Sequence, residues 1–297
     1  MPNIDLFIAG AQKAGTTSVK NYLGEHPQII THEAQEFPFF FDDAEFGLGF
    51  ETIFNNYFEG FADTRLKIVC KHAHLYTSET AIKRLSEHNP NCKLIFIIRN
   101  PVDRTFSSYL MEKLYNRVNF EFDDIILALN GSGKLFLEKW QFDALISFGF
   151  YSVHLNNILK YFPRENVRLI LFEDFKKHPL NYIRKIFSDF GINEDFQPRV
   201  RVIHNQSSAP RSVLFGDLIK RTIIEENNFK RMVKKIIPVK TAFKIGSQIR
   251  EINKTKPKNE KMSLQAREFL NNYFKPYNEE LKKMTNLDLS CWEIPGS

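Results

Sequence analysis

The stretch Gly10-Ala-Gln-Lys-Ala-Gly15-Thr16-Thr17 follows the apolar run IDLFIA and has the outline of a phosphate-binding loop, G-x-x-x-x-G-K-[ST]. One residue is displaced. Lysine stands at position 13, and Thr16 fills the place where such loops carry their lysine. Backbone amides around Ala14 and Gly15, and the start of the next helix, can grip an oxyanion because unpaired N–H donors and the helix dipole both point at it. Thr16, Thr17 and Ser18 add hydroxyl groups. In a nucleotide-hydrolysing loop the lysine beside the Ser/Thr reaches the β and γ phosphates while the hydroxyl holds magnesium. Thr16 cannot supply that ammonium, whereas Lys13, inside the loop, can meet an oxygen bridging two groups. A plain strand-to-helix turn with an exposed lysine would have the same outline, so the loop needs a second observation beside it. That observation is IFIIRNPVDRTFSSY, with Arg99 at the end of an apolar run and Ser107 in the segment after it. A guanidinium binds phosphate bidentately and a serine hydroxyl donates one hydrogen bond, so the pair suits a second phosphate some distance from the first. Alone, such an arginine is as easily a surface or salt-bridge residue.

The elements that must position these groups follow from apolar spacing. IDLFIA reads as a short buried strand and TTSVKNYLGEHP as a helix through Val19, Tyr22 and Leu23 that ends near Pro27. RLKIVCKH and CKLIFIIRNP read as further strands, with SETAIKRLSEHNP as the helix between them. PVDRTFSSYLMEKL carries helix-start signals in Pro101 and Asp103. Beyond it, YSVHLNNILKYFP reads as an amphipathic helix, NVRLILFEDF as a strand and PLNYIRKIFSDFGI as a helix ending at Gly191. The final helix, LQAREFLNNYFKPYNEELKKM, is expected to break or kink at Pro276. Continuous apolar strands alternating with helices predict an α/β three-layer sandwich around a central parallel sheet, with ligands at the carboxyl ends of the strands. Gly10, Lys71 and Arg99 fall at such ends.

At 297 residues the chain is read as a single domain, residues 1–297, and its 43% hydrophobic and 26% charged residues are those of a globular protein. A formal net charge of +6 favours an anionic ligand, although a solvated basic face accounts for much of it. Cys70, Cys92 and Cys291 are too scattered for a disulfide framework or a metal knuckle, which points to a reducing compartment. The amino terminus lacks a basic leader and no stretch has the apolar length of a membrane span, so a cytoplasmic location and no membrane span are expected.

The pair FIAGAQKAGTTSVKNYLGEHPQI and KLIFIIRNPVDRTFSSY resembles the two signature motifs of sulfotransferases that use 3′-phosphoadenosine 5′-phosphosulfate (PAPS). The residues from Gly149 to Ile192 look like that family's middle region, and LQAREFLNNYFKPYNEELKKMTNLDLSCW is similar to the C-terminal part of its heparan-sulfate-type branch. The resemblance implies that Lys13, Ala14, Gly15, Thr16, Thr17 and Ser18 bind the 5′-phosphosulfate and that Arg99 and Ser107 bind the 3′-phosphate. It also gives Lys13 a task, the stabilisation of charge on the oxygen bridging sulfur and phosphorus. It requires no metal. Its implied acceptor is a glycan or small molecule bearing a hydroxyl or amine, with no nucleic acid as partner.

Acceptor attack requires a base. Glu36-Phe-Pro-Phe-Phe is similar to the Glu-x-x-Phe-Phe pattern whose glutamate is the base in the heparan-sulfate-type branch, with Glu33 as the local competitor. CKHAHLY resembles two family versions and departs from both. Lys71 matches either and is implied to contact the transferred sulfonate or the acceptor. His72 replaces Ser/Thr, and His74 matches a catalytic histidine only with one residue inserted, which makes it the second candidate base. Arg211, in HNQSSAPRS, is a further candidate phosphate contact; Lys254, Lys256, Lys258 and Lys261 are assigned no role.

Two other functions fit parts of the chain. A P-loop nucleotide kinase would take Asp174 as a magnesium ligand but is left with Thr16 in place of lysine. A silent nucleotide- or glycan-binding module of the same fold would account for the irregular CKHAHLY.

Overall fold

The computed structural model describes residues 2–58, 66–199, 209–210, 254–255 and 260–293. In chain order its elements begin with β1 (Leu6–Gly10), α1 (Thr16–Gly24), β2 (Ile29–Thr31), α2 (Asp43–Gly47), α3 (Phe50–Tyr57), β3 (Lys67–Lys71), α4 (Glu79–His88) and β4 (Lys93–Ile98). They continue with α5 (Pro101–Leu114), α6 (Phe122–Leu129), α7 (Lys139–Leu145), α8 (Tyr151–Leu159), β5 (Val167–Leu171), α9 (Phe172–Lys177) and α10 (Pro179–Asp189). The last are β6 (Ala209–Pro210), β7 (Lys254–Thr255) and α11 (Leu264–Thr285). The chain divides into two compact units, residues 1–99 with 153–204 and residues 100–152 with 205–297.

The first unit is built on a parallel sheet of order β2-β3-β1-β4-β5. Its central strands are apolar on both faces, as a sheet covered by helices requires: every residue of β1 is buried, and so is β4 from Leu94 to Ile98. After β1 the chain builds one side of the sheet, β3 and β2, and returns to the other side at β4. The loop after β1 therefore opens at the point where strand order switches, the place α/β sheets use for ligands. Phe37, Phe39 and Phe40 of the FPFFF run are buried in an aromatic cluster with Phe50, while Phe41 is partly exposed. The expected strand NVRLILFEDF ends at Leu171, because Glu173 and Asp174 favour the first turn of a helix and Phe172 opens α9.

In the second unit α5 starts at Pro101, and the Asn100 side chain accepts hydrogen bonds from the amides of Val102 and Asp103. Its core joins Val102 and Tyr109 to Phe122 and Ile125 of α6 and to Leu270 and Phe274 of α11. Of the break or kink expected at Pro276, the break does not occur: α11 runs as one helix from Leu264 to Thr285 with the proline inside it. Packing offsets the lost hydrogen bond, since Phe274 and Leu281 are buried on either side of the proline and Tyr277 stacks on Phe150 at 3.9 Å. β6 and β7 pair antiparallel through Ala209 and Thr255.

Candidate active site

The loop after β1 begins with a close approach. A Cβ on Gly10 would lie 2.2 Å from Cδ1 of Tyr76, so only glycine fits. Ala11 N then donates to Ile97 O (2.7 Å) and Ala14 N to Ala11 O (3.1 Å), which turns the chain back over the sheet. Lys13 takes φ 70° and Gly15, immediately before α1, takes φ 80°. No side chain caps α1. The Ser18 amide turns back to the Gly15 carbonyl at 3.0 Å, and the amides of Thr16 and Thr17 stand ahead of it at the positive end of the helix. Thr16 and Ser18 are buried there, and Lys13 and Thr17 are half-buried.

Arg99 follows β4, and its Nη1 donates to the Lys13 carbonyl at 3.0 Å. Its guanidinium lies 5.2 Å from the Phe172 ring centre, and Phe172 also backs Gly15, where a Cβ would approach Cε2 to 3.0 Å. Loop, arginine and aromatic ring form one cluster within the first unit. Ser107 belongs to α5 in the second unit and is half-buried. On the same helix Ser108 Oγ and Arg104 Nη1 both donate to the Ala144 carbonyl, at 2.9 and 3.0 Å. Thr105 Oγ1 likewise donates to the Leu145 carbonyl at 2.6 Å, so Arg104, Thr105 and Ser108 are structural, and Ser107 lies outside that bonding.

Glu36 and Lys71, 35 residues apart, meet at the end of β3: Lys71 Nζ donates to Glu36 Oε1 at 2.6 Å and to the Gln35 carbonyl at 3.0 Å. The amide of Ala73 donates to Glu36 Oε2 at 2.9 Å. Lys71 is 1% exposed whereas the Glu36 side chain is 31% exposed, so the carboxylate carries the pair to solvent. Burial holds the Lys71 ammonium below the usual lysine range, and Glu36 opposes that shift. Glu33 is exposed.

The two histidines of CKHAHLY flank Ala73. His72 is buried and its ring stacks on Phe41 at 4.4 Å; burial, then Lys71, lowers its pKa to about 3. His74 is half-buried, and its carbonyl accepts from Thr77 N and Oγ1 at 3.0 and 2.8 Å. Glu36 and His74 therefore border the same turn.

Two polar groups in this region receive no role from the sequence. Lys20 of α1 is buried, and His32 Nε2 accepts from the Lys71 amide at 3.1 Å. The signal for Lys20 was its place beside Val19 in the stripe that includes Leu23. Asp174 lies in the first turn of α9 with Lys177 at 3.9 Å. Arg211 lies outside the described residues, as do Lys256 and Lys258; Lys254 lies in β7, and Lys261 is exposed before α11.

A family model described as "Sulfotransferase domain" matches residues 3–285. Among curated proteins, the bifunctional heparan sulfate N-deacetylase/N-sulfotransferase 4 of Mus musculus is 24% identical over 292 residues, covering 93% of this chain and 29% of that protein. The heparan sulfate glucosamine 3-O-sulfotransferase 5 of Homo sapiens is 26% identical over 167 residues, covering 55% of this chain and 46% of that protein. The chain spans between 22% and 29% of the length of the bifunctional relatives it matches. A crystal structure of a sulfotransferase from Alicyclobacillus acidocaldarius shares the fold, with a TM-score of 0.65 at 22% identity over 97% of this chain and 98% of that one. With the family match running from β1 into the last turn of α11, the chain belongs to the sulfotransferase domain family.

Proposed function

We propose that the protein transfers a sulfuryl group from PAPS to a hydroxyl or amine of a glycan or small-molecule acceptor, and that both units form a single sulfotransferase domain. The family match runs through both units, which supports the second part. The observation that carries the donor assignment is the cluster of Lys13, Gly15 and Arg99 around an uncapped helix start. The amides at the helix start, hydroxyls and two cations are a donor set for an anion bearing phosphate groups, and the loop has no lysine at position 16 for a terminal triphosphate. When bound, the donor supplies an activated sulfuryl group whose leaving group is a phosphate. Lys13 then opposes charge gathering on the bridging oxygen, the α1 amides and Thr16 to Ser18 hold the adjacent phosphate, and Arg99 holds the 3′-phosphate.

Glu36 is the base in this reading. Its carboxylate is half-exposed, and Lys71 and the Ala73 amide each fix one of its oxygens, so it stands oriented to take the acceptor's proton. Lys71 acts on the base rather than on the sulfonate. Glycan acceptors are supported by the heparan sulfate relatives and by the basic balance of the chain. A cytoplasmic site is supported by Cys70 and Cys92, both buried free thiols.

Two measurements test the proposal. Purified protein is expected to bind adenosine 3′,5′-bisphosphate more tightly than magnesium-ATP, and the reverse preference overturns it in favour of a kinase. Incubation of cell extracts with donor carrying radioactive sulfate is expected to label an acceptor, with Lys13→Ala as the inactive control; donor binding without labelling of any acceptor leaves the silent binding module.

A further inference from the structure

The Lys20 ammonium is buried in the first unit and donates to two backbone carbonyls, His32 O and Ala34 O, both at 2.8 Å. Both carbonyls belong to the turn that leads into Glu36. Lys20 itself lies one helical turn from Thr16, on the helix that begins at the phosphate loop. We propose that Lys20 is a positioning residue that clamps the turn at residues 32–36 onto α1 and so sets the Glu36 carboxylate against Lys71. This rests on reading Glu36 as the base.

The chemistry favours a device over a packing accident. Burying an ammonium costs several kcal/mol unless it is well paired, and a methionine of similar length would fill the same stripe without that cost. The protein keeps the cation at a point where its partners are main-chain carbonyls, which hold a turn in one shape. The same turn is tied twice more: Lys71 Nζ donates to Gln35 O at 3.0 Å, and the Lys71 amide donates to His32 Nε2 at 3.1 Å. Two buried lysines therefore grip three carbonyls of one short segment, those of His32, Ala34 and Gln35, and the carboxylate at its end receives the second lysine. Burial and the nearby Lys71 lower the Lys20 pKa to about 8, with Glu36 and Glu33 opposing, so the site is a shared one. A displacement of the base by about 1 Å is enough to lower turnover about 100-fold.

The test compares wild type with Lys20→Met. The Lys71 ammonium signal is followed by proton–nitrogen correlation spectroscopy and assigned by its loss in Lys71→Met. Binding is measured with adenosine 3′,5′-bisphosphate, and rate as radioactive sulfate transferred from saturating donor to the acceptor pool of a cell extract. The expected result is that Lys20→Met broadens or loses the Lys71 signal and lowers the rate at least about tenfold, while nucleotide affinity stays within about twofold. An unchanged Lys71 signal with an unchanged rate overturns the proposal. So does a loss of nucleotide affinity in proportion to the rate, which would assign Lys20 to the donor loop. If Lys20→Met does not fold, Lys20→Gln is measured, and a wild-type signal and rate there overturn the clamp equally. If wild type binds no adenosine 3′,5′-bisphosphate, the sulfotransferase reading fails, while the Lys71 signal still decides the role of Lys20.

Discussion

Arg99 Nη1 donates to the carbonyl of Lys13 at 3.0 Å, so the arginine assigned to one end of the donor also fixes the loop assigned to the other. A guanidinium can do both because its donors lie in a rigid fork, which an ammonium lacks. Arg99→Lys is therefore expected to weaken adenosine 3′,5′-bisphosphate binding about tenfold or more despite keeping the charge. Calorimetric titration checks it; lysine binding as well as arginine would remove Arg99 from the donor site.

Glu36→Gln keeps the shape of the side chain and loses the proton acceptor. Sulfuryl transfer is expected to fall by about 100-fold or more with nucleotide affinity held within about twofold. The paired variant is His74→Ala. An active Glu36→Gln beside an inactive His74→Ala would move the base to the other side of Ala73.

Acid should destabilise the protein through His72. Its folded pKa, lowered to about 3, lies below the ordinary histidine value of 6.5, so between those two values the unfolded chain binds more protons than the folded one. Stability is fully present above pH 6.5 and is lost as pH falls toward 3, by up to roughly 5 kcal/mol from this residue. His88, packed on Phe50 at 4.2 Å and lowered to about 4 mainly by burial, adds a second contribution of the same sign. Urea unfolding from pH 4 to 7 is expected to show a shallower slope in His72→Phe than in wild type.

Gly10→Ala tests the seat of the loop. The methyl group would sit 2.2 Å from Tyr76 Cδ1, in a ring that is fully buried and packs on Phe96 at 4.9 Å. A cost of at least about 1–3 kcal/mol is expected from overpacking, read from the midpoint of denaturant unfolding. A wild-type midpoint would mean that Tyr76 can swing aside.

Much of this architecture is legible in the sequence where a local pattern and the tertiary demand coincide. The strands β1 and β4 are unbroken apolar runs because helices cover both faces, and Pro101 announces α5 because a first turn needs no proline N–H. The misreadings have tertiary causes. The helix through Pro276 persists because of Tyr277 on Phe150, a contact 127 residues apart that no local rule anticipates. β2, at the sheet edge, is only three residues long and leaves no alternation to find. At the site, the loop, Arg99 and Glu36 stand out by type and spacing. Lys20 does not, since a lysine beside an apolar stripe ordinarily marks where the buried face ends.

The backbone at Lys13 adds a consequence for how the loop can vary. A φ of 70° disfavours any residue with a Cβ, by about 1–2 kcal/mol, and lysine bears that strain. Glycine at this position would relax the loop while removing the ammonium. Lys13→Gly is thus expected to melt higher and turn over far more slowly, with calorimetry and the transfer assay moving in opposite directions. One residue holds a trade between resilience and rate, and a library at position 13 would rank its members differently by heat than by chemistry.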